Sequence, residues 1–273
     1  MANGVTLRKD ANRLQPDELA ALQDAYRKMQ AISAADNRSW IFWAGNHGFP
    51  NFGCWHHGRS GFGDQQPYDL FLPWHRAFLL YWEHAMRDQN PQASLPWWDW
   101  SSTESHTIGV PTPFAADQLD GNPNPLFSGP VPAIQDQPAR MTTRFPGDPA
   151  ELPRPEDVES LMGLGSFVDF TGQLQDLHDM IHGWTGGIDP NDPQQGGDMG
   201  NIGTSAFDPI FWSHHCMIDR IWYLWQLRNG NGSVPQDYLN KPLAPFALTV
   251  KDVLNIQQLG YEYAASSVTI DNS

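Results

Sequence analysis

Two short stretches, far apart in the chain, carry histidines at spacings that suit a bound metal. In Leu177-His178-Asp179-Met180-Ile181-His182 the two histidines stand four residues apart. On an α-helix that places both imidazoles on one face, about one turn (roughly 6 Å) apart. The second stretch, Asp208-Pro209-Ile210-Phe211-Trp212-Ser213-His214-His215, adds two more. The upstream half supplies His47, His56, His57 and His75, the last within Leu72-Pro73-Trp74-His75-Arg76. Eight of the ten histidines thus form two groups, with His84 and His106 outside them. Two clusters built from imidazole alone point to two metal ions, and the fold has to gather the segments that carry them.

Helical periodicity supplies the scaffold. Pro16-Asp17-Glu18-Leu19-Ala20-Ala21-Leu22 opens a helix, with proline in its first turn, acids at the positive end of its dipole, and apolar residues recurring at Leu19, Leu22, Tyr26 and Met29. A second helix is predicted from about Trp74 to Arg87, with Phe78, Leu79 and Trp82 on one face. The third carries Phe170, Leu174, Leu177, Ile181 and the histidine pair, and the fourth runs from about Pro209 to Leu227. The reading is a mainly α fold, an antiparallel four-helix bundle with histidines projecting inward, long loops and a few short strands. All 273 residues are read as one domain. Residues 104–157, thick with Pro, Gly, Asp and Asn, read as one long ordered loop. The stretch 230–273 reads as a short extension with strand-like runs at 248–250 and 268–270.

With 31 acidic against 16 basic residues, the formal charge of −15 makes nucleic acid and anionic membrane poor partners. No apolar run approaches the ~18 residues of a membrane span. Met1-Ala2-Asn3-Gly4-Val5 has no apolar signal core, so a cytoplasmic or already processed form is expected. Cys54 and Cys216 are the only cysteines, which excludes a disulfide scaffold. Most of the 12 Trp and 14 Phe residues are read as core. Trp40, Phe42, Trp43, Trp55, Trp74, Trp97, Trp98, Trp100, Phe211 and Trp212 stand near the histidines and are expected to wall the site and keep it dry.

Neutral imidazole suits zinc, copper, iron and nickel, whereas calcium, magnesium and manganese prefer oxygen. Neither cluster has an obvious carboxylate ligand, which argues against carboxylate-bridged di-iron or di-manganese bundles. No His-Glu-x-x-His is present, so a zinc protease is disfavoured. Three imidazoles per metal with an open position fit a catalytic zinc or a copper that binds dioxygen.

Three longer motifs sharpen this. They are Phe71-Leu72-Pro73-Trp74-His75-Arg76-Ala77-Phe78-Leu79, Leu95-Pro96-Trp97-Trp98-Asp99-Trp100, and the Asp208–His215 stretch continued by Asp219-Arg220-Ile221-Trp222. On them the chain resembles the type-3 copper proteins: tyrosinases, catechol oxidases and the oxygen-binding domains of molluscan haemocyanins. Gly197-Asp198-Met199-Gly200-Asn201 is similar to plant polyphenol oxidases, and the resemblance covers most of residues 5–230.

The resemblance implies two copper ions that bind dioxygen between them as peroxide. Copper A would be held by His47, His56 and His75, and copper B by His178, His182 and His215, with His214 a close neighbour. It implies oxidation of o-diphenols to o-quinones with reduction of dioxygen to water, and o-hydroxylation of monophenols as an additional activity. A haemocyanin-like oxygen carrier is the alternative, and a zinc hydrolase the third reading. The implied partners are small phenols, dioxygen and a copper-delivery protein. Relatives shielded by a C-terminal domain carry more chain than the forty or so residues that follow the copper B helix here.

Cys54-Trp55-His56 matches a Cys-x-His pattern that in many relatives becomes a thioether. Nineteen residues separate His56 from His75, and Gly58–Asp64 looks inserted, which leaves both His56 and His57 open as ligands, with Cys54 favouring His56. Relatives that hydroxylate monophenols often carry Glu before the first copper B ligand and Asn just after it. Gln175 and Asp179 are the matches here; a carboxylate can take a proton and an amide cannot. Ile202 falls where plant relatives place a Phe over the site, so a wider entrance is expected, with Gly183 and His214 as further pocket residues.

Overall fold

A computed structural model of the protein describes residues 5–60, 65–119 and 121–265. Helix α1 (Pro16–Ala31) starts where expected: Glu18 reaches back to the N–H of Gln15 at 2.9 Å, and Pro16 occupies the first helical position. It buries Leu22, Ala25, Tyr26 and Met29. Helix α2 (Trp40–His47) is absent from the sequence reading. Its eight residues, Trp-Ile-Phe-Trp-Ala-Gly-Asn-His, are apolar almost all round and carry no amphipathic period. The Ser39 hydroxyl caps it by accepting the N–H of Phe42 at 3.1 Å.

Helix α3 (Phe71–Gln89) begins one turn before the predicted start at Trp74. Asp69 accepts the N–H of Phe71 at 2.9 Å, and Pro73 falls in the first turn, where its missing N–H is no loss. Residues 104–157 are not one uninterrupted loop. They hold the single turns α4 (Ser105–Ile108) and α5 (Thr112–Ala115), small hairpins, and the start of α6 (Pro155–Met162). Helix α7 (Phe167–Gly186) is capped by Ser166 and stops at Gly187, whose φ of +55° suits glycine. Helix α8 (Pro209–Asn229) is capped by Asp208, which accepts the N–H of Ile210 at 3.1 Å, and ends at Gly230 with φ +79°.

Helices α1, α3, α7 and α8 pack around one apolar core, so the helical architecture expected from periodicity is present. Thr6–Arg8 pairs in parallel with Tyr261–Tyr263 and ties the start of the described chain to its end. The run at 248–250, expected as a strand, instead makes a lone bridge from Thr249 to Pro242 and enters a 3-10 turn, Val250–Val253. The run at 268–270 lies outside the described residues. No helix among the described residues is long and apolar enough to cross a membrane.

A buried ionic cluster locks this scaffold. Arg8 donates to Glu83 at 2.9 Å and to Asp219 at 3.2 Å, and Arg76 donates to Asp219 at 2.5 Å. The hydroxyls of Tyr261 and Tyr263 also donate to Asp219. Burial raises the Asp219 pKa, but the facing Arg76 and Arg8 outweigh it, and the net value lies below the ordinary 3.8. This contribution to stability is complete above 3.8 and is lost as pH falls through the lowered native value. Asp219→Ala would leave the buried Arg76 guanidinium without a carboxylate and Arg8 with Glu83 alone, a loss of about 3–5 kcal/mol. Thermal melting should register this as a fall of roughly 10 °C in Tm; an unchanged Tm would show that the cluster is energetically neutral.

Candidate metal centre

Each histidine is placed by a different piece of local structure. His47 closes α2, His75 lies in the second turn of α3, His178 and His182 share a face of α7, and His214 and His215 lie on α8. His56 belongs to the two-residue strand Trp55–His56, paired with Arg59–Ser60. The upstream trio His47, His56 and His75 gathers with ring centroids 5.3–5.6 Å apart. In the downstream trio, His215 Nε2 stands 3.2 Å from His178 Nε2 and 3.3 Å from His182 Nε2.

The second nitrogen of each ring shows what these contacts are for. His178 Nδ1 meets Asp179 Oδ1 at 2.9 Å, and His182 Nδ1 meets the Met199 carbonyl at 2.7 Å. Protons spent there leave both Nε2 atoms as bare lone pairs aimed at one point. An ion bound tetrahedrally by nitrogens at about 2.0–2.1 Å sets those nitrogens about 3.3 Å apart. In the upstream trio His75 Nδ1 donates to the Phe71 carbonyl at 2.9 Å, while its Nε2 and both nitrogens of His47 are buried without a hydrogen-bond partner. Orphaned buried nitrogens cost about 1–3 kcal/mol each, a cost that a bound cation removes. The donor set therefore fits two imidazole-ligated ions.

The trios abut. The His75 and His215 rings stack at 4.5 Å, and His56 and His178 lie 5.5 Å apart. Burial pushes His75 down to about 3 and His182 to about 4, and holds His47, His56, His178, His214 and His215 well below 6.5. All are neutral near pH 7, the form that binds a metal.

The hairpin separates His56 from His57. The strand ends at His56, which joins the trio, and His57, in the turn that follows, is exposed with its Nε2 2.9 Å from Asp179 Oδ2. Cys54 is fully buried, and its sulfur lies within 4.8 Å of ligand nitrogens of His47 and His56. Burial pushes this thiol up to about 12.

Asp179 bridges His178 and His57 and is exposed. Gln175, matched to a base position beside the metal, is fully buried, with its amide engaged by His57, Asp69 and Thr171. Gly183 is exposed, and a Cβ built on it meets nothing within 4 Å. Ile202 is 50% exposed, in a turn that packs against Gly48 directly after His47. His214 stacks on His178 at 5.1 Å and stands 4.9 Å from His182, so four histidines crowd the downstream side.

The aromatic wall differs in part from the sequence expectation. Trp74 stands 4.9 Å from His75, and Phe211 stands 4.1 Å from His215. Trp97, Trp98 and Trp212 instead pack on Tyr263, Trp184 and Trp82, as core. Phe71, overlooked as a wall, lies 4.6 Å from His75 and 4.8 Å from His178. Its place four residues before His75 on one helix was the available signal. The Met199 carbonyl was invisible in sequence because every residue has one. It reaches His182 because Gly186 and Gly197 let two backbones meet: a Cβ on Gly186 would fall 2.4 Å from the nitrogen of Gly200.

Comparison with known proteins places the chain in a family. A profile of the family described as the common central domain of tyrosinase matches residues 23–228. Haemocyanin units G and H of Sepia officinalis are 29% identical over 254 residues, covering 88% of this chain and 42% of that protein. A tyrosinase of Podospora anserina is 28% identical over 318 residues, covering 88% of this chain and 53% of that protein. The chain thus spans about half the length of these curated relatives. Among solved structures, a tyrosinase from Burkholderia thailandensis superposes with a TM-score of 0.80 at 22% identity, covering 97% of this chain and 75% of that one. The chain belongs to the tyrosinase family of type-3 copper proteins.

Proposed function

We propose that this protein oxidises o-diphenols to o-quinones at a dicopper centre, copper A held by His47, His56 and His75 and copper B by His178, His182 and His215. The observation that carries the reading is the approach of His215 Nε2 to the bare Nε2 atoms of His178 and His182, at 3.2 and 3.3 Å, beside a second histidine trio. Bound copper supplies the exchange of electrons with dioxygen that no side chain can perform. Each diphenol gives up two electrons and two protons, and two diphenols reduce one dioxygen to two waters.

The chain's own residues bind, orient and deprotonate. The half-buried rings of His56 and His182 and the empty space over Gly183 leave an approach for a flat phenol. Phe71 and Phe211 back the imidazoles and keep water from behind them. Asp179, exposed beside His178, is the carboxylate available to take a phenolic proton. A thioether between Cys54 and His56 would lock the one copper A ligand that stands on a short hairpin rather than on a helix.

The test is oxygen uptake by the copper-loaded protein on 4-methylcatechol, with p-cresol alongside. Uptake on the catechol supports the proposal, and uptake on p-cresol extends it to monophenols. Reversible oxygen binding without catechol turnover would instead support an oxygen carrier, the reading favoured by the similarity to Sepia haemocyanin. Ile202→Phe is expected to raise KM for bulky catechols by about 10-fold, a barrier change of about 1.4 kcal/mol, with little effect on catechol itself. Steady-state kinetics on the two substrates check this, and equal KM values would place Ile202 away from the entrance.

A further inference from the structure

We infer that Gln175, although it stands on α7 one turn before His178, is a positioning residue for the upstream trio of His47, His56 and His75. The inference rests on the reading that this trio holds a metal. Gln175 is fully buried, and a buried amide has both a carbonyl and an NH2 group to satisfy. Apart from Thr171 O of its own helix, at 3.2 Å, its partners lie on the upstream side. Its Oε1 accepts the backbone N–H of His57, the residue that follows His56. Its Nε2 donates to Asp69 Oδ2 at 2.5 Å. Asp69 in turn accepts the N–H of Gly58 at 3.2 Å and of Phe71 at 2.9 Å, and the Phe71 carbonyl takes His75 Nδ1. One amide therefore ties the turn carrying His56 to the first turn of the helix carrying His75.

The backbone shows why the tie is needed. His57 has a φ of +46°, in the left-handed region that side chains disfavour, and such a residue persists only where its surroundings hold it. Gln175 holds its N–H, while Asp179 holds its exposed ring. Once the N–H is released, the turn can relax and carry His56 out of the trio. The exposed Asp179 contact is the weaker of the two restraints, because water screens it.

Cobalt(II) titrated against a chelator, read by its d–d absorption, tests this in two backgrounds. His178→Ala leaves the upstream trio to be read alone, and His47→Ala leaves the downstream trio. Gln175→Leu is expected to weaken the upstream site by about 10–100-fold and the downstream site by less than about threefold. A polarity swap supplies the rescue. Gln175→Glu alone sets two carboxylates face to face, whereas adding Asp69→Asn restores a donor opposite an acceptor at the cost of the Gly58 N–H, which the same Asp69 oxygen accepts. Upstream affinity should fall in the single variant and return in part in the double. Equal loss at both sites, no loss upstream, or a swap that fails to recover overturns the inference. Should Q175L not fold, the single and the swap give the same comparison. If neither background binds cobalt, the metal reading falls and takes this inference with it, a result distinct from binding that ignores Gln175.

Discussion

His178→Ala and His215→Ala are each expected to cut bound copper from two ions per chain to one and to lower oxygen uptake on 4-methylcatechol by at least about a thousandfold, or about 4 kcal/mol of barrier. Each change removes one of three neutral nitrogens, of which that of His215 lies 3.2 and 3.3 Å from those of His178 and His182, and leaves two, too few for a stable imidazole site with an open position. The upstream trio is an internal control, because a correctly folded variant keeps that ion. His214→Ala is the informative companion. His214 lies flat against His178, whereas His215 points a nitrogen at both partners, so this variant should retain both ions. Metal analysis decides the matter. Two ions retained in His178→Ala would overturn the ligand set, and loss of one in His214→Ala with retention in His215→Ala would exchange the two roles.

The metal-free protein is expected to lose its fold near pH 5, while the copper-loaded protein survives to lower pH. His47, His75, His178, His214 and His215 are fully buried, and burial lowers the pKa of each far below 6.5. The native state therefore excludes protons that the unfolded chain accepts. The stability tied to neutral imidazole is fully present above 6.5 and drains away as pH falls below it. Each such histidine costs about 1.4 kcal/mol per pH unit, so five together cost about 7 kcal/mol per unit at most. Total stabilities are about 5–15 kcal/mol, which one or two units would exhaust. Bound copper occupies the nitrogens and competes with protons, so it moves the midpoint down. Circular dichroism melts at pH 7.5, 6.5 and 5.5, with and without chelator, measure both curves. A metal-free Tm that stays flat across this range would show that the imidazoles accept protons without unfolding.

The sequence by itself determined the helices that carry the downstream histidines and the chemistry those histidines permit. The spacing of His178 and His182 needs only the geometry of one helix. The caps of α7 and α8 are local choices of Ser166 and Asp208. The type-3 copper family was legible because its motifs are contiguous, as in the run from Phe71 to Leu79. Three things were decided only by tertiary structure. Helix α2, too short and too uniformly apolar to show a period, forms because its Ser39 cap and the surrounding core hold it, and it brings His47 to the site. His56 is parted from His57 at a turn whose N–H is held by Gln175, 118 positions downstream. The Met199 carbonyl reaches His182 through packing that no local pattern encodes. Periodicity and capping are written in neighbouring residues, whereas the direction of a side chain or carbonyl toward a distant partner is set by close packing of the whole core.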